Sequence, residues 1–251
     1  MSPTTPDSTS GLVGSSPPKG DAIEKAMGTA LYADDYRKTG QLHVKALRSP
    51  HAHARIRRID ISRAQSMPGV ADVITGADVP GENRVGMTVL DRPILAEGKV
   101  RFIGEAVAAV AAETPWQAEA AASAIEVEYE ALPEVFDPEE ALREGAPILH
   151  EGRPEGNLLT ERRVSRGDAE AAFRSAAVVA EDVFETQPIE HAYMEPESGL
   201  AFLDEDGRVV LQTCCQSPHA FRSEIARVLG CDPKRIRVLQ TTTGGGFGGK
   251  L

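Results

Sequence analysis

Aromatic residues are scarce: Phe, Tyr and Trp make up 5% of the 251 residues, with a single Trp. Much of the core must therefore be Ala, Val, Ile and Leu. Cysteine is almost missing. Cys214, Cys215 and Cys231 are odd in number and have no CxxC spacing. That argues against a disulfide framework and for a reducing compartment. It also argues against an iron–sulfur cluster inside the chain, which would need four suitably spaced thiolates. Basic residues are outnumbered, 27 Lys and Arg against 38 Asp and Glu, for a net charge of -11. This speaks against a nucleic-acid binder, which presents a basic face. No apolar run approaches the roughly 20 residues that span a bilayer. The opening "MSPTTPDSTSGLVGSSPPKG" has neither a basic nor an apolar signal region. Rich in Ser, Thr, Pro and Gly, it reads as a disordered lead-in over residues 1–19. The composition fits a cytoplasmic protein without membrane or nucleic-acid partners.

What is present is a globular balance, 41% hydrophobic and 26% charged. The length allows one large domain or two ordinary ones. "QLHVKALRS" alternates Leu42, Val44 and Ala46 and predicts a strand. "ARIRRIDIS" places Ile56, Ile59 and Ile61 in a broken alternation, a second strand. "SRAQSMPGV" is a short helix stopped by Pro68 and Gly69, and "ADVIT" a further strand. The apolar run from Ala106 to Ala112 predicts a fully buried strand. Thr114-Pro115 then starts a helix. "IEVEYEALP" sets Ile125, Val127 and Tyr129 against three glutamates, a half-exposed strand. Residues 20–136 thus form a compact mixed domain, and the Pro- and Gly-bearing stretch 137–160 a linker.

A second unit spans 161–251. Asp168 is placed to cap a helix through Phe173. "AVVAEDVFET" predicts a strand. Asp206-Gly207 marks a hairpin turn between two apolar runs. "SPHAFRSEIARVLG" predicts a helix with Pro218 in its first turn, Gly230 beyond its end and a buried stripe of Phe221, Ile225, Val228 and Leu229. "RIRVLQT" is a strand leading into "GGGFGGK".

That glycine run holds five glycines in six positions, 244 to 249. It lacks the helix that follows a GxGxxG motif and the Ser or Thr that ends a P-loop. A dinucleotide-binding reading is poor as well, because no βαβ unit is read around the run. Two readings remain: a flexible tail, or a loop whose amides wrap an anionic or oxo ligand with Phe247 as a wall. "IEHAYMEPE" offers Glu190, His191 and Glu195 as metal ligands, against a polar turn with a satisfied histidine. "TCCQSPH" puts Gln216 and His219 beside a helix N-terminus, which attracts anions or is merely capped. His51 and His53 would share a face of an extended strand, and a surface strand is the favoured reading.

Taken in order, "GDAIEKAMGTALYADDY", "LRSPHAHARIRRIDISRAQSMPGVADVITGADVP", "RFIGEAVAAVAAETPWQAEAAASAIEVEYEALP", "IEHAYMEPESGLA", "TCCQSPHAFRSEIARVLG" and "GGGFGGK" closely resemble the molybdenum-binding large subunit of the xanthine dehydrogenase and aldehyde oxidase family. The resemblance covers nearly everything from Gly20 to Lys250. It implies an α+β fold: an a/b hammerhead domain, then the incomplete first part of a molybdopterin-binding domain. It implies oxidative hydroxylation of N-heterocycles or aldehydes with water as the oxygen source. It also implies a molybdenum–molybdopterin cofactor, often the cytosine dinucleotide, and [2Fe-2S] and FAD on partner subunits. Gly245, Gly246, Phe247 and Gly248 match the loop beside the metal, with the Phe247 backbone nearest it, and Gln216 matches a segment approaching the same centre. Two departures stand out. Ile189 replaces a Gln of xanthine-oxidising members, and Leu251 replaces a substrate-binding Glu. The family's general-base Glu matches no position here, so no catalytic residue is assigned. The chain is expected to be inactive alone, as the front portion of a large subunit that works with the subunit's remainder. The other reading is a non-catalytic hammerhead scaffold that docks the iron–sulfur and flavin subunits.

Overall fold

The structure is a computed structural model and describes residues 14–153 and 155–251. Residues 1–13 of the expected lead-in lie outside the described part. The chain divides into two compact units. The larger comprises Lys38–Glu190 and Phe221–Arg235, the smaller the residues up to Arg37 with His191–Ala220 and Ile236–Leu251.

In the larger unit, β1 (His43–Arg48), β2 (Ala54–Asp60), α-helix Ser62–Gln65, β3 (Val70–Thr75), β4 (Lys99–Val100), β5 (Ala106–Ala112), α-helix Pro115–Ser123 and β6 (Glu126–Ala131) follow in order. They form two three-stranded sheets, β1-β5-β3 and β4-β2-β6, with every pairing antiparallel. The central β5 separates two small cores. Ala108 and Val110 pack with Val73, Ala121 and Ile125 on one face. Val107 packs with Ala54, Ala96 and Val100 on the other. The alanines let the Pro115–Ser123 helix lie close to the sheet through Ala118, Ala121 and Ala122, all buried. Thr114 caps that helix, its hydroxyl accepting from the Gln117 amide at 3.3 Å, and Pro115 fills the first position where no donor is needed.

The broken isoleucine spacing has a physical cause. Ile56 and Ile59, three apart, both reach the second core because a β-bulge shifts the register between Ile56 and Arg58. β1 forms where expected, and of the named alternation only Ala46 is half-buried. Leu42 and Val44 are exposed, and Leu47 on the opposite face packs into the first core. A side-chain period of two gives alternation but not which side is covered. "AVVAEDVFET" forms no strand, and Val178, Val183 and Phe184 are all exposed.

The histidines also depart from expectation. His51 and His53 precede β2, and His53 is buried. Its Nδ1 lies 2.7 Å from the Pro133 carbonyl, which can only accept, so Nδ1 carries the hydrogen. The Nε2 lone pair then faces Lys99 Nζ at 3.4 Å. Lys99 donates as well to the Ile148 carbonyl at 3.0 Å and to Glu151 at 2.6 Å. The buried ammonium thus matches three donors to three acceptors, which is what burying a charge requires. Residues 148–151 are thereby fastened to β4.

In the smaller unit, β7 (Gly199–Leu203) and β8 (Val209–Thr213) form the expected hairpin, with Gly207 at φ 72° in its turn. β9 (Ile236–Gln240) pairs parallel to β8. A parallel pair needs a crossover, and the connection from β8 to β9 contains the helix Pro218–Val228, which from Phe221 onward belongs to the larger unit. A βαβ connection therefore exists, contrary to expectation. The glycine run follows its second strand, whereas a dinucleotide loop follows the first. The Pro218–Val228 helix ends as its Gly230 implies: Gly230 has φ 62° and donates to the Arg227 carbonyl, and Cys231 donates to that of Ala226. Of its expected stripe, Phe221, Ile225 and Val228 are half-buried and Leu229 is exposed, while Ala226 is the buried position.

Candidate functional site

The candidate site is the glycine loop in the smaller unit. β9 leads into it, and the ladder continues one step as Thr241 donates to the Thr213 carbonyl at 3.0 Å. The backbone then turns sharply. Gly245 and Gly248 have φ of 103° and 91°, a region that L side chains rarely adopt. Phe247 sits at φ 49° and is exposed. A bulky residue held at positive φ marks a place where surrounding structure imposes the conformation.

The surroundings are specific. Gln216 Oε1 accepts from the amides of Gly248 at 3.0 Å and Lys250 at 3.3 Å, and the Gln216 amide donates to the Lys250 carbonyl at 2.9 Å. Because Oε1 is used twice, the carboxamide orientation is fixed and its Nε2 is left as a donor. Glu195 Oε2 accepts from the Gly244 amide at 2.7 Å and from Lys250 Nζ at 3.0 Å. Lys250 Nζ also donates to the Glu195 carbonyl at 2.9 Å and lies 4.6 Å above the Tyr193 ring centroid. Lys25 Nζ reaches the Thr243 carbonyl at 3.1 Å. Burial pushes the Glu195 carboxyl up, but the Gly244 amide and the Lys250 ammonium outweigh it and hold it below its ordinary value. Burial likewise pushes Lys250 down, and its partners, Glu195 first, reverse this and raise it.

The loop is therefore fastened at both ends, and its middle runs from half-buried Gly245 through buried Gly246 to exposed Phe247. Among the described residues, the amides of Gly245, Gly246 and Phe247 donate no hydrogen bond within the protein. Consecutive unclaimed amides around positive-φ positions form a concavity for anionic or oxo groups. Gly246 has no room for a side chain, since a Cβ there would lie 2.7 Å from Gln216 Oε1. The sequence-predicted residues Gly245, Gly246, Phe247, Gly248 and Gln216 are brought together. Glu190, His191 and Glu195 are not, since Glu195 is committed to the loop. Among the described residues no group of three or more His, Cys, Asp or Glu is placed to hold a metal ion. Sequence reasoning missed the pairing of Glu195 with Lys250. The two are 55 positions apart, and neither end carries a local signal for the other.

Residues 27–133 match the family described as aldehyde oxidase and xanthine dehydrogenase, a/b hammerhead domain. Residues 149–251, which include the whole loop with Gln216 and Glu195, match the molybdopterin cofactor-binding domain. The chain belongs to the aldehyde oxidase and xanthine dehydrogenase family. It is 39% identical to the nicotinate dehydrogenase large molybdopterin subunit of Eubacterium barkeri, over 96% of this chain and 56% of that one. It is 35% identical to the xanthine dehydrogenase molybdenum-binding subunit of Escherichia coli O157:H7, over 92% of this chain and 32% of the relative. The aldehyde oxidoreductase of Desulfovibrio desulfuricans superposes with a TM-score of 0.86 at 34% identity, over 95% of this chain and 28% of that one. The chain thus spans between 28% and 56% of the length of these family members. The α+β architecture and the molybdenum-subunit resemblance read from the sequence are both upheld.

Proposed function

We propose that this chain forms part of the large subunit of a molybdenum hydroxylase and that its glycine loop cradles the molybdopterin cofactor. The observation that carries this is the set of three unclaimed amides, Gly245 to Phe247, in a loop pinned on both sides. The residues fit the group: the amides donate to anionic or oxo oxygens, the Phe247 backbone is the part assigned to the metal's side, and Gln216 Nε2 offers a further donor. The cofactor, when bound, supplies the oxidative chemistry that hydroxylates a carbon with oxygen from water. This chain's own residues bind and orient it. Preset donors need no rearrangement when charge builds up on a bound oxygen. The relatives' names, nicotinate, xanthine and quinoline among them, support an N-heterocycle as substrate, with aldehydes the other class.

The cofactor is taken to be the cytosine dinucleotide form of the pterin, and [2Fe-2S] and FAD are assigned to partner subunits. Further polypeptide of the molybdenum subunit would supply the general base. The chain's domains are a hammerhead over 20–136, a linker over 137–160 and molybdopterin-binding residues over 161–251. Three unpaired cysteines, two of them buried, suit a reducing cytoplasm.

The test is native purification from the source organism, with molybdenum and pterin measured alongside any co-purifying polypeptides. Molybdenum is expected at near-stoichiometric amounts, with iron–sulfur and flavin polypeptides present. Gly246→Val, which drives a side chain into Gln216, should lose the metal while remaining folded. A folded, metal-free wild-type chain would instead favour the non-catalytic scaffold.

A further inference from the structure

We propose that Glu195 and Lys250 are positioning residues, a buried ion pair that draws the two ends of the glycine loop together and keeps its central amides clear of protein acceptors. The inference rests on reading the loop as a cofactor cradle.

The geometry is that of a clasp. One oxygen, Glu195 Oε2, receives the amide of Gly244, the first glycine, and the ammonium of Lys250, the residue after the last glycine. Lys250 Nζ also donates to the Glu195 carbonyl, lies over the Tyr193 ring and has Cys214 beside it. The side chains of Lys250 and Glu195 are 1% and 9% exposed. A lysine at the end of an exposed loop would ordinarily keep its charge in water. Drawing it inward carries a desolvation cost that its partners offset, while the other oxygen of the pair, Glu195 Oε1, is buried without a hydrogen bond.

The clasp also divides the glycines by purpose. A Cβ on Gly244 would lie 2.6 Å from Glu195 Cβ, and one on Gly249 would lie 2.8 Å from Tyr193 Cε1. These two glycines make room for the clasp, not for a ligand. Gly246 clears Gln216, while Gly245 and Gly248 hold the backbone at positive φ. The run is therefore five separate requirements that happen to be adjacent.

The test is amide hydrogen exchange on the full chain, in the complex in which it is isolated. Wild type is compared with Glu195→Gln, Lys250→Met and the double variant. Each single variant should speed exchange of the Gly244, Gly248 and Lys250 amides at least tenfold and leave β5 unchanged. The double variant should be no faster than the faster single, because the pair acts as one unit. Should Glu195→Gln also expose β7 to β9, Gly244→Ala gives a second route. It spreads the clasp with both charges intact and should loosen the same amides. Molybdenum content should fall in every loosened variant. Unchanged loop exchange in the singles, additive effects in the double, or full molybdenum in a loosened loop would each overturn the positioning role. A wild-type chain without molybdenum would overturn the cofactor reading instead, and exchange would still decide whether the clasp holds the loop.

Discussion

Two stretches of the larger unit both read as strands and meet opposite fates. Ala106–Ala112 reads AVAAVAA and is the central strand, paired on both sides, with Val107, Ala108, Val110 and Ala112 fully buried. Residues 177–186 read AVVAEDVFET, yet they form no strand, and Val178 and Phe184 are 85% and 88% exposed. Apolar pattern makes a segment able to join a sheet, but the strand exists only when neighbours supply the ladder and a surface to cover it. β5 has both: β1 and β3 flank it, and a helix of alanines caps one face. The later stretch has neither among the described residues.

Removing side chains from the two stretches puts the comparison at risk. Val110→Ala leaves a cavity in a core of small residues that cannot easily collapse. It should cost about 2 kcal/mol in urea unfolding, with the midpoint lowered and the slope kept. A loss below about 0.5 kcal/mol would mean that β5 is less central than its burial implies.

A subtler contrast lies in two carboxylates, each within its own unit. Burial pushes Glu105 up, and this outweighs the Arg101 amide, which donates to it at 2.6 Å, and the nearby guanidinium. Glu195 is held down by its partners, Gly244 and Lys250. The signs follow by linkage. A raised carboxyl contributes its stability below the unfolded pKa, about 4.3, and loses it as pH rises through the folded value. A lowered one contributes above about 4.3 and loses it as pH falls through the folded value. Glu105→Gln should therefore gain on wild type as pH rises from about 4 to about 7, whereas Glu195→Gln should fall further behind. Parallel profiles in paired urea titrations would refute this contrast.

The smallest effect belongs to the exposed stretch. Phe184→Ser should alter unfolding free energy by less than about 0.5 kcal/mol, because the ring is already in water in the folded chain. A larger loss would show that this stretch is covered after all.

Much was legible beforehand where chemistry is local. Thr114-Pro115 announced a helix start, Asp206-Gly207 a hairpin and Gly230 a helix end, because capping and turn groups act within a few residues. The loop residues and Gln216 were legible as a family pattern. The bulge that aligns Ile56 with Ile59, the inward face of β1 and the burial of His53 were not, since each depends on a strand or carbonyl far along the chain.

The sequence by itself determined the caps and turns that end the elements, the small-residue core and the family. Only the tertiary structure decided which faces are covered, that residues 177–186 stay unpaired, and that Glu195 meets Lys250. Those outcomes depend on contacts between residues tens of positions apart, which no local spacing encodes.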